Sequence, residues 1–111
     1  MKQLRLKLKY EEIHTLDEWI ESLLQHEDDA TTFAELCALA VLSDWQKKKL
    51  KPKLYYITTR HIAYSLQAPQ ILALLHFIGK SKEPVTSFTG YCLHNLKTII
   101  YQVYNNTKLV G

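Results

Sequence analysis

Glycine and proline occur only three times each in the 111 residues of this chain. A sandwich or barrel of many strands needs such residues at its turns, so their scarcity argues for a mostly helical chain. With glycine at positions 79, 90 and 111 alone, no dinucleotide fingerprint or phosphate-cradling loop can be written. Cys37 and Cys92 are the only cysteines, which is no disulfide framework and no Cys-x-x-Cys site. His14, His26, His61, His76 and His94 are scattered without the i, i+4 pairing of a helical metal site, so neither a metal nor another cofactor is expected. No nucleophile elbow or convergent pair of acids is visible, and the chain is expected not to be an enzyme. No apolar run approaches the roughly 20 residues of a bilayer span. The first ten residues alternate leucine with cations where a signal peptide would be continuously apolar, so a cytoplasmic location and no membrane partner are expected.

What is present suffices for one core. Apolar residues make up 47% and charged residues 23%, as in an ordinary globular domain, and the length suits a single helical domain over residues 1–111. Leu4, Leu6 and Leu8 alternate with Arg5, Lys7 and Lys9, which predicts a short strand within residues 1–10. From Thr15 the period changes: Leu16, Trp19, Ile20, Leu23 and Leu24 share one helical face over 15–27. Thr15 with Glu18, and Thr32 with Glu35, have capping-box spacing, the second opening a helix over 32–50. That second helix is apolar nearly all round, with Phe33, Leu36, Cys37, Ala40 and Val41 on one side and Leu39, Leu42 and Trp45 on the others.

Residues 54–67 admit two readings: a helix throughout, or a strand from Leu54 to Thr59 that pairs with the N-terminus. The helix is preferred. Further helices are expected over 69–79, with Pro69 in the first turn and Gly79 as cap, and over 87–104, ended by Asn105 and Asn106. The expected fold is all-α, a compact bundle of four to five helices with a short N-terminal β-strand.

Charge is segregated along the chain. Residues 1–10 carry basic groups only, 11–44 acidic groups only, and everything from 45 onward is basic apart from Glu83. Lys47, Lys48, Lys49, Lys51, Lys53 and Arg60, with Tyr55 and Tyr56 between them, have the composition of a nucleic-acid surface in which cations meet phosphates and rings meet bases. A helix-turn-helix over 62–78 fits poorly, because Gln67 and Ala68 replace the turn glycine and the second helix is too apolar to lie in a groove.

The leading expectation is a small non-enzymatic interaction or regulatory module. It would self-associate, or hold a protein partner, through the apolar second helix, with Leu39, Leu42 and Trp45 as interface residues. The alternative is a nucleic-acid-binding regulator that uses the basic segment 47–60. No small-molecule substrate is evident.

Overall fold

The computed structural model describes residues 4–26, 28 and 32–110, with side chains described as far as Val103. Glu27 and Asp29, and with them the expected end of the first helix, lie outside the described residues. Strand β1 (Leu4–Leu8) is followed by helices α1 (Tyr10–Gln25) and α2 (Phe33–Trp45). A π-helical turn (Gln46–Leu50) and a 3-10 turn (Lys51–Leu54) continue from α2. Strand β2 (Ile62–Leu66), α3 (Ala68–Lys80) and α4 (Phe88–Val110) complete the chain. The described residues thus form a mostly helical globule of four α-helices with a small two-stranded antiparallel sheet that includes the N-terminal strand.

The sheet follows from alternation. Leu4, Leu6 and Leu8 face inward opposite Leu66, Tyr64 and Ile62, while Arg5 and Lys7 face outward opposite Ser65 and Ala63. This corrects the helical reading of 54–67. Ile62, Tyr64 and Leu66 have a strand's period, and they pair with β1 in place of Leu54–Thr59. A strand here also removes the first helix of any helix-turn-helix.

Helix α1 begins five residues earlier than Thr15. Glu12 accepts the Lys9 backbone N–H at 3.0 Å and caps the start, while the Thr15 hydroxyl, already inside the helix, donates to the Glu11 carbonyl at 2.8 Å. At α2 the expected cap is present: Thr32 Oγ1 accepts the Glu35 N–H at 3.1 Å. Gly79 lies within α3, whose last residue is Lys80 and whose C-cap is Ser81, and α4 continues through Asn105 and Asn106 to Val110.

The core draws Ile13, Leu16 and Ile20 from α1, Leu39 and Leu42 from α2, Leu74 from α3, and Leu93, Leu96 and Ile100 from α4. Each fully buried side chain of this kind contributes about 1.5–3 kcal/mol. Trp45 meets Tyr64 edge to face at 6.0 Å, which ties the end of α2 to the sheet. The Tyr64 hydroxyl is buried with no hydrogen-bond partner among the described residues, and burial pushes its pKa up to about 12.

Candidate nucleic-acid interface

The basic segment is shaped by the change of helix type. After Trp45 the turn widens to i→i+5 bonding, with the Lys51 N–H donating to the Gln46 carbonyl. Gln46 and Leu50 then both face inward, and Lys47, Lys48 and Lys49 face solvent. Gln46 is only 1% exposed. Its Nε2 donates to the Asp17 carbonyl at 3.2 Å, to Asp17 Oδ1 at 3.0 Å and to Glu21 Oε2 at 2.9 Å. The amide therefore joins two carboxylates of α1 to the root of the basic run.

These contacts sort the lysines. Lys51 Nζ lies 3.3 Å from Asp17 Oδ1, and Lys48 Nζ lies 3.0 Å from Asp44 Oδ1 one turn earlier. Asp44 is itself exposed in this pair. Lys80 meets Glu35 at 2.9 Å, so Asp17, Glu35 and Asp44 each face a lysine within the chain. By contrast, Lys47, Lys49, Lys53 and Arg60 are exposed and have no carboxylate at salt-bridge distance among the described residues. The same holds for Arg5, Lys7 and Lys9.

Beyond Leu54 the chain leaves helical geometry. The Tyr10 hydroxyl reaches the Leu54 carbonyl at 3.5 Å, and the Arg60 N–H donates to Thr58 Oγ1 at 3.1 Å, which closes a turn ahead of β2. Between these anchors Tyr55, Tyr56 and Ile57 are 79%, 82% and 82% exposed. Large side chains this open gain nothing from the monomer's own core. Of the expected residues, Tyr55, Tyr56, Arg60, Lys47, Lys49 and Lys53 are thus exposed, whereas Lys48 and Lys51 meet acidic neighbours.

The expected interface residues have moved. Leu39, Leu42 and Trp45 are core residues, 4%, 0% and 4% exposed, because they are the face of α2 that meets the rest of the fold. The outward face carries Phe33, at 81% exposure, with Leu36, Cys37 and Ala40. Cys92 is buried, and that burial, with Glu12 nearby, pushes its thiol up to about 11, so it stays protonated and unreactive at neutral pH. Among the described residues no group of three or more His, Cys, Asp or Glu is placed to hold a metal ion, and no helix is long and apolar enough to cross a membrane.

Comparison with protein-family models, with curated proteins and with solved structures returns no match.

Proposed function

We propose that this chain is a non-enzymatic binding module whose ligand is a nucleic acid, held by the segment from Lys47 to Arg60. One observation carries the reading: cations with no carboxylate partner among the described residues flank two tyrosines that the fold leaves open to solvent. Exposed lysines at the end of a helix are ordinary, since they complement its dipole. Exposed tyrosines between them are not explained that way, whereas a ligand that combines phosphates with flat bases uses both. The exposed thiol of Cys37 fits a reducing, cytoplasmic setting.

The test is fluorescence anisotropy with a labelled oligonucleotide across a salt series. Changing Lys47, Lys49 and Lys53 together to Gln should weaken binding about tenfold or more and lower the slope of log K against log salt by about 2, at about 0.7 per lost phosphate contact on a single strand. Lys48 is left in place because Asp44 already neutralises it. An unaltered slope in the triple variant would sink the assignment.

A second reading rests on Phe33. Self-association through the outward face of α2 would cover Phe33, Leu36 and Cys37 and would keep the module oligomeric. In that case the wild type should have dimer mass in light scattering, and Phe33→Glu with Leu36→Glu should give monomer mass with unchanged helicity, since neither side chain belongs to the core. A monomeric wild type at high concentration would dispose of this reading.

A further inference from the structure

Resting on the nucleic-acid reading above, we infer that the ligand is single-stranded, its bases stacked on Tyr55 and Tyr56 and its phosphates carried onward by Arg5 and Lys7 on the outward face of β1 and by Lys9 just after it. The two tyrosine rings have no aromatic or cationic partner among the described residues. A duplex keeps its base faces inside the stack, where such rings cannot reach them. A single strand offers them at every nucleotide.

The outward face of the sheet extends the surface. Across from Arg5 and Lys7 stand Ser65 and Ala63, both small and exposed, so the two cations rise from a flat platform with no acidic group in the sheet. Residues two apart on a strand lie about 7 Å apart on the same face, which suits a line of charges better than an isolated phosphate. The register joins this platform to the basic segment. Leu8 pairs with Ile62, so Lys9 on one side and His61 and Arg60 on the other leave the sheet at the same end. Tyr10, the next residue after Lys9, holds the Leu54 carbonyl at the end of the lysine run.

Two competitors fit less of this. A two-stranded ribbon can enter the major groove of a duplex, but that mode would leave Tyr55 and Tyr56 unused. Docking on an anionic lipid surface needs buried apolar area, and beside the tyrosines this loop offers only Ile57.

The decisive experiment titrates the intact chain against a labelled oligothymidylate of about ten nucleotides, within the span of small single-strand-binding domains. The same-length duplex, inorganic polyphosphate and phosphatidylserine vesicles serve as comparison ligands, and circular dichroism checks the fold of each variant. Binding to the single strand should exceed binding to the duplex at least about tenfold, and Tyr55→Ala with Tyr56→Ala should remove at least about tenfold of it, consistent with the worth of base stacking. The salt slope should not change in that variant, and Tyr55→Phe with Tyr56→Phe should restore affinity. Arg5→Gln with Lys7→Gln should instead lower the slope by about 1.4, two contacts at about 0.7 each.

If the alanine pair binds like wild type, or the duplex binds as tightly as the single strand, this inference is overturned while the nucleic-acid reading survives. If polyphosphate competes as well as the oligonucleotide and the tyrosines are inert, the surface binds polyanions without reading bases, and stacking is again overturned. Preference for vesicles over every oligonucleotide, or no binding at low salt, overturns both.

Discussion

Replacing Gln46 by glutamate should destabilise the fold by about 3–5 kcal/mol at neutral pH, the usual cost of an uncompensated buried charge. The side chain keeps its shape, but the Nε2 that donates to Asp17 and Glu21 becomes an oxygen about 3 Å from two carboxylate oxygens. Repulsion and burial both disfavour the ionised form, so the pKa of the new carboxyl is higher in the folded chain than its ordinary value of about 4.3. The penalty belongs to the charged form: it is absent well below about pH 4.3, grows as pH rises, and is complete once pH exceeds the raised folded value. Urea denaturation of variant and wild type across pH should therefore show a gap that closes on acidification. Gln46→Met, which loses the hydrogen bonds without adding a charge, should show a smaller gap of about 1–3 kcal/mol with little pH dependence. A pH-flat gap for the glutamate variant would mean that this position is not held against Asp17 and Glu21.

That contact also shows why the charge pattern was only half legible in the sequence. Segregation of acids into 11–44 and cations on either side is visible by inspection, as are Tyr55 and Tyr56 among the lysines. Which cations remain unmatched is not visible, because Lys51 meets Asp17 only after α1 and the π-helical turn have packed together. The buried amide gave no local signal either. A glutamine before three lysines looks like part of a solvated face, and its place on the buried face of α2, four residues after Leu42 and seven after Leu39, is fixed only once packing selects that face.

The fold divides along similar lines. Alternation in Leu4–Leu8 and the Thr32 cap are local, and both are seen in the structure. In α2 the period carries no information about which side is buried, because apolar residues surround the helix. Packing against α3 and the sheet takes Leu39, Leu42 and Trp45, and Phe33 and Leu36 are left outside. For β2 the signal was present and outweighed. Ile62, Tyr64 and Leu66 alternate with Ala63 and Ser65, yet Leu54–Thr59 has the stronger strand composition. Strand composition reflects fit to a half-buried pleated surface, and Tyr55, Tyr56 and Ile57 in succession leave no polar face to turn outward. This strand-rich segment is thus excluded from the sheet, and its rings stand in solvent.

Gly90→Ala should lower stability by about 2–3 kcal/mol, where helix propensity alone predicts a gain of about 1 kcal/mol for alanine over glycine. The sign is decided by a close approach. A Cβ at position 90 would stand 1.9 Å from the Pro84 carbonyl oxygen, 2.6 Å from its carbon and 3.1 Å from Ser87 Oγ. Crowding of this kind costs about 1–3 kcal/mol where neighbours can shift, and more where they cannot. Here they are tied: the Pro84 oxygen accepts both the Ser87 N–H at 3.0 Å and the Ser87 hydroxyl at 2.9 Å. Ser87 Oγ in turn accepts the Gly90 N–H at 3.0 Å and so caps α4. Moving the carbonyl aside breaks its two hydrogen bonds from Ser87, the residue that caps α4, each worth about 0.5–1.5 kcal/mol, so relief of the clash brings its own loss. Urea midpoints should fall for Gly90→Ala and fall less for Ser87→Ala, which removes the cap without crowding the turn. A midpoint raised by alanine at 90 would mean that residues 81–87 swing away freely and that α4 is held by its buried Leu93, Leu96 and Ile100 rather than by the turn that starts it.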